Sequence, residues 1–173
     1  KAKGWRQTEA PMRAVNTLLR GIRQPKAKSF AAMPYKDVPA FMARLGQGSA
    51  TLGRLALQFL ILTAARSGEV RGAVWGEIDE DRRLWTIPAN RMKMDQEHQV
   101  PLTEVALAIL RQAKAHSLLR PGDLVFPGQR HRPLSDMTLG KVLKSNGGEG
   151  FTVHGFRSSF RDWAAEEGYS NDW

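Results

Sequence analysis

The sequence contains no cysteine, which removes disulfide scaffolds, thiolate-bound zinc, iron–sulfur clusters and thiol nucleophiles together. It has only two tyrosines, Tyr35 and Tyr169, and four histidines, His98, His116, His131 and His154, none paired at i, i+4 as in a helical zinc site. Acidic residues are scarce. Asp and Glu number 17 against 26 Lys and Arg, for a formal charge of +9, a balance that favours a polyanionic partner. Long apolar runs are missing too. The longest, around Leu55 to Ala65, is interrupted by Gln58 and Thr63 and falls short of the roughly 18 to 20 apolar residues a membrane helix needs. No Gly-Lys-Ser/Thr ending follows the glycines at 46, 48 and 53, and no Gly-x-Ser-x-Gly elbow occurs, which disfavours nucleotide hydrolysis and acyl transfer. The carboxylates at Glu77, Asp79, Glu80 and Asp81 cluster, but without the Glu-x-Lys string of many metal nucleases. They read as a solvated acidic turn.

What is present is the ordinary mixture of a globular protein: 173 residues, 42% hydrophobic and 25% charged. That is enough for one domain plus a short appended segment. The chain opens on Lys1 without a leader pattern and is expected to be a piece of a longer protein. Its charge is uneven. Residues 1–36 carry nine basic residues against the single acid Glu9, whereas the other 137 carry 17 basic and 16 acidic. Met12 to Ile22 reads as a short helix, and Gln24-Pro25-Lys26-Ala27-Lys28-Ser29 reads as an exposed linker. A boundary is therefore expected near residue 30, and the basic segment is either a solvated tail or a strap along a phosphate backbone.

From Tyr35 onward the pattern predicts an α+β unit, mostly helical. Val38, Phe41, Met42 and Leu45 recur at helical spacing, and Gly46-Gln47-Gly48 closes the helix. Ser49 or Thr51 is positioned to cap a central buried helix ending near Ala65. A helical turn is expected over Glu69 to Val74. Leu84–Ile87 and Gln99–Leu102 alternate as two strands of a hairpin whose loop carries Arg91, Lys93 and Asp95. Thr103 and Ser135 are expected to cap two further helices, and a last helix starts near His154 and reaches about Glu167.

That last helix is the most legible chemically. At 100° per residue Phe156, Phe160 and Trp163 form an apolar stripe, while His154, Arg157 and Arg161 fall within about 60° of one another. A His and an Arg three residues apart can donate to neighbouring oxygens of one phosphate. Arg66 leaves the most apolar helix and needs a counter-charge, for which Glu69 is the candidate; a guanidinium so held keeps outward donors for a ligand. Lys93 at the hairpin tip is a primary ammonium able to give a proton to a leaving oxygen. Each of these has a plainer reading as a solvated or structural charge.

The residues taken in order carry more than any one of them. Thr63-Ala64-Ala65-Arg66-Ser67-Gly68-Glu69-Val70, then Trp85-Thr86-Ile87-Pro88 to Arg91-Met92-Lys93-Met94, then His98-Gln99-Val100-Pro101-Leu102, then His154-Gly155-Phe156-Arg157 resemble the catalytic domain of the tyrosine recombinases, in particular prophage and genomic-island integrases. The resemblance covers residues 31–173 and implies that fold, with residues 1–30 as the end of an upstream core-binding domain plus linker. It implies cutting and rejoining of double-stranded DNA at attachment sites through a 3′-phosphotyrosine, without metal or other cofactor, and self-association on the DNA. Arg66 and Arg157 would grip the scissile phosphate, His154 would handle protons there, Lys93 would be the general acid, and Glu69 would support Arg66. Arg20, Arg23, Lys26, Lys28, Arg91 and Arg161 are the expected DNA-binding cations. The expected location is the bacterial cytoplasm, at the nucleoid. The family's nucleophile lies some helices beyond its His-x-x-Arg, so neither Tyr35 nor Tyr169 suits, and the nucleophile is expected outside this chain. The alternatives are a non-catalytic DNA-binding regulator on the same fold and a type IB topoisomerase.

Overall fold

The computed structural model describes residues 31–92, 95–116 and 119–169. A single 3-10 turn at Tyr35–Asp37 leads into helix α1, Val38–Gly46, which buries Phe41 and Leu45 as its spacing requires. Arg54 reaches back to close this helix, donating to the Leu45 carbonyl at 3.0 Å. Thr51, not Ser49, begins helix α2, Leu52–Thr63: its backbone is extended and its hydroxyl accepts from the Arg54 N–H at 3.4 Å.

Helix α2 buries Leu55, Ala56, Leu57, Gln58, Phe59 and Leu60 in succession, so it is enclosed on nearly every side. Phe59 sits at its centre against Trp85 and Phe126, with ring centroids 5.2 and 5.5 Å apart. The helix stops because Ala64 turns left-handed, at φ 48°. After it comes helix α3, Ser67–Arg71, two residues earlier than the predicted turn.

The hairpin is antiparallel and belongs to a three-stranded sheet of order β1-β2-β3, with β1 Ile78–Asp79, β2 Leu84–Ile87 and β3 His98–Pro101. Trp85 pairs with both Ile78 and Val100, and Ile87 pairs with His98. Two readings of the acidic stretch are corrected. Ile78–Asp79 is a strand rather than part of a turn, and Glu77 is buried instead of solvated, at 8% exposure, accepting from the Trp85 indole N–H at 3.0 Å. A buried indole needs an acceptor, and Glu77 is the one within reach.

Helix α4, Glu104–Lys114, is capped by the Thr103 hydroxyl at 3.2 Å from the Ala106 N–H. Helix α5, Asp136–Ser145, starts at Ser135, but that hydroxyl meets Thr138 Oγ1 at 3.0 Å instead of a backbone donor. Both helices pack on α2. Helix α6, Gly155–Glu166, lies at the other end, where Phe156 stacks on Phe41 at 5.7 Å. Its end is a Schellman closure: Gly168, at φ +79°, and Tyr169 return their N–H groups to Ala165 and Ala164. Trp163 departs from expectation. It stays 36% exposed, stacked on the Tyr169 ring at 5.6 Å.

The segment leading into α1 is tied to α6. The Thr152 N–H donates to the Ala31 carbonyl at 3.0 Å and the Ser159 hydroxyl donates to the Met33 carbonyl. The boundary near residue 30, and residues 1–30 themselves, fall outside the described residues. Among the described residues no helix is long and apolar enough to cross a membrane.

Tyr35 spans the same junction by donating its hydroxyl to the Glu166 carboxylate. That hydrogen bond raises the phenol pKa, with desolvation and the Glu166 charge adding to it and Lys36 opposing it. A raised folded-state pKa means the contact's stabilisation is complete below the ordinary phenol value and lost as pH rises through the raised one. In Tyr169→Phe, where Tyr35 is the only tyrosine left, the phenolate absorbance should therefore appear above the ordinary phenol pH, and Glu166→Gln should bring it down. A midpoint at the ordinary value would disprove the contact.

Candidate active site

The site is built where α2 ends and α6 begins. The left-handed turn at Ala64 frees the carbonyl of that residue from the helix ladder, and Arg157 Nη1 donates to it across 93 residues of sequence. Two residues on, Arg66 takes the cap position of α3. Its backbone N–H donates to Glu69 Oε2 at 2.7 Å, and its Nη1 pairs with Oε1 of the same carboxylate at 2.6 Å. Glu69 is 7% exposed and Arg66 45%. The carboxylate is therefore the buried anchor, and the guanidinium reaches outward from it with donors to spare.

On α6, His154 is the cap residue, Phe156 turns into the core and Arg157 is half-buried. Burial lowers the Arg157 pKa, the Arg66 cation lowers it further, and Glu69 acts in the opposite direction. The Arg66 and Arg157 charges therefore act on each other, and an oxyanion brought near both would relieve the repulsion.

Beside them a groove of about 520 Å³ runs between α6 and β3. His154, Arg157, Ser158 and Arg161 line one side, and His98 and Gln99 the other. Of the expected residues the structure brings together Arg66, Glu69 and Arg157 at the end of α2, and His154, Arg157 and Arg161 along the groove. Arg161 is exposed and has Asp162 at 3.6 Å. Lys93, Arg20, Arg23, Lys26 and Lys28 lie outside the described residues. His98 and Gln99 are exposed polar side chains on β3, the strand that follows the basic loop, and Ser158 joins them from α6.

Arg91, expected among the DNA-binding cations, is held within the protein. Its guanidinium turns inward, one arm on the Glu77 carboxylate and the other on the Glu69 carbonyl at 2.6 Å, and it is 24% exposed. The physical reason is Glu77: a carboxylate buried beside Trp85 needs a cation. Arg91 is the one held there.

The end of α2 and the start of α6 thus place Arg66 on the Glu69 carboxylate, Arg157 on the Ala64 carbonyl and the His154 imidazole at the edge of one groove. A model of the phage integrase family matches residues 32–172, and the chain belongs to that family. Among similar proteins, the integrase of Enterobacteria phage P4 is 36% identical over 167 residues, 85% of this chain and 37% of that protein. The prophage integrase IntA of Escherichia coli is 33% identical over 157 residues, 88% of this chain and 38% of its own length. The chain thus spans well under half of these relatives. Among solved structures, the Tn1549 transposon integrase in complex with a circular intermediate DNA superposes with a TM-score of 0.70 at 13% identity, over 88% of this chain and 58% of that one. A lambda integrase dimer bound to a core site gives 0.59 at 16% identity, over 87% and 56%. These two likenesses establish the shared fold.

Proposed function

We propose that this chain is the phosphate-gripping portion of a site-specific recombinase that cuts and rejoins double-stranded DNA at attachment sites, in the bacterial cytoplasm. The anchoring of Arg157 on the Ala64 carbonyl, two residues before the Glu69-held Arg66, carries the reading. In the proposed reaction the hydroxyl oxygen of a tyrosine outside residues 1–173 attacks phosphorus. The new O–P bond replaces the bond to the 5′ oxygen, which leaves with a proton. Arg66 and Arg157 hold the non-bridging oxygens as charge grows on them. His154 handles protons at the same phosphate, and Lys93 protonates the leaving oxygen. Arg161, which lines the groove, would contact the flanking DNA backbone. Tyr35 is engaged with Glu166 and Tyr169 stacks on Trp163, which supports a nucleophile other than these two. Self-association on DNA follows from the need to exchange strands between two duplexes.

The test is adduct trapping. The complete polypeptide containing these residues, given attachment-site DNA nicked beside the cleavage phosphate, should become covalently linked to the 3′ end. A protein that binds this DNA and never forms the adduct is a regulator, and the recombinase reading then fails.

Residues 1–30 are proposed to lie along the duplex as an upstream strap carrying Arg20, Arg23, Lys26 and Lys28. Each phosphate that a protein neutralises adds about 0.9 to the slope of log affinity against log salt. Deleting residues 1–30 should weaken duplex binding and flatten that slope in proportion to the phosphates released. An unchanged slope would show that the segment is solvated.

A further inference from the structure

The inward turn of Arg91 leaves a question of purpose. Glu77 and Arg91 are both largely buried, and a buried pair of this kind brings little net stability over apolar residues of the same size. Its connections are more informative than its energy. Glu77 is fixed by the indole of Trp85, which is fully buried in β2. Arg91 joins Glu77 to the main-chain carbonyl of Glu69, the residue whose carboxylate holds Arg66. A line of polar contacts therefore runs from the core tryptophan, through Glu77 and Arg91, to the Glu69 main chain, and the side chain of Glu69 continues it to the Arg66 guanidinium.

Helix α3 needs such an external hold. With five residues it is far below the length at which a helix sustains itself. Its position is set by what grips it: Val70 in the core, Arg71 Nη1 on the Leu134 carbonyl at 2.9 Å, and Arg91 on the Glu69 carbonyl. Of the side-chain grips, Arg91 acts at the residue carrying the Arg66 counter-ion. Gly72 keeps the passage open, since a Cβ there would come within 2.9 Å of Arg91 Nη2.

We propose that Arg91, braced by Glu77, is a positioning residue for the phosphate site: it fixes Glu69, and through Glu69 the aim of the Arg66 guanidinium. It does not touch the phosphate. The inference rests on the phosphate-gripping role of Arg66 and Arg157.

The test uses the chain as it stands, with inorganic phosphate as the probe and the arginine Nε–Hε resonances as the readout. In the wild type, phosphate should shift Arg66 and Arg157 along saturating curves. Arg91→Lys keeps the cation but has one nitrogen in place of the planar fork whose two arms span Glu77 and the Glu69 carbonyl, and should weaken phosphate binding by about tenfold, the scale of coupling between residues of one network. Glu77→Gln, a gentler change that retains a hydrogen-bonding group, should weaken it in the same sense. The decisive comparison is in an Arg66→Ala background, where Arg91→Lys should have no further effect on affinity. A simple loss of stability would weaken binding equally with and without Arg66, and that result overturns the proposal. So does unchanged phosphate affinity in Arg91→Lys when the wild type binds normally. If phosphate shifts neither arginine in the wild type, the reading of the site itself fails and the positioning role falls with it.

Discussion

In the complete polypeptide, Arg157→Ala should slow strand cleavage by about 10³ or more while leaving the protein folded, because a guanidinium that stabilises a transferring phosphoryl group is worth about 10³ to 10⁵ in rate. The structure supports so lopsided an outcome. Arg157 is half-buried beside another cation, a placement that costs folding free energy through desolvation and repulsion. Against that stands its hydrogen bond to the Ala64 carbonyl, worth about 1.5 to 3 kcal/mol for a charged donor. Removing the side chain therefore costs one hydrogen bond and relieves a repulsion, so the melting temperature should move by only a few degrees. Arg157→Lys keeps the charge without the planar fork that can serve the Ala64 carbonyl and a phosphate oxygen together, and should recover little of the rate. Single-turnover adduct formation at saturating DNA, set beside thermal unfolding, separates the two effects. Cleavage within tenfold of wild type would remove Arg157 from the proposed chemistry.

How much of the fold and site is legible in the sequence depends on the range of the interaction. Helix α2 is readable because nearly every position is apolar, and only a central helix tolerates that. Thr51 and Thr103 are readable as caps because the donor each one serves lies three residues away. The Arg66–Glu69 pair has the same short span. Arg91 and Glu77 are 14 residues apart and meet only because β1 and β2 fold back on each other. In the sequence Arg91 is a cation in a basic loop, and Glu77 is one carboxylate of a charged turn. How far each side chain is buried depends on what packs above it. Trp163 makes the converse point. Periodicity correctly places it on one side of α6 with Phe156 and Phe160, but the neighbouring elements cover Phe156 fully and Trp163 only in part. A hydrophobic pattern tells which residues share a face, not how far a neighbour extends along it.

The glycine in His154-Gly155-Phe156-Arg157 has a steric cause, which yields the second large expected effect. A Cβ at Gly155 would lie 2.3 Å from the Ala31 carbonyl oxygen and 2.8 Å from the Ala32 Cα. These are backbone atoms, and the Ala31 carbonyl is pinned by the Thr152 N–H at 3.0 Å, so neither can yield as a side chain would. Gly155→Ala should therefore cost about 3 kcal/mol, the upper end of the usual overpacking range. For a chain of this size that corresponds to a fall in melting temperature of about 6 to 12 °C. Relief has to come from moving the segment at Ala31 or the start of α6. Since α6 starts between His154 and Arg157, phosphate affinity should fall along with stability. Gly140→Ala is the internal control: that glycine lies within α5 with nothing inside 4 Å of the space an added methyl would fill, so the same chemical change should stabilise by about 0.5 to 1 kcal/mol. Opposite signs at the two positions, read from thermal unfolding, would show that contact with the Ala31–Ala32 backbone requires glycine at 155. Equal small effects would mean that the start of α6 can move away from that segment freely, and that the tie between them does not set the position of Arg157.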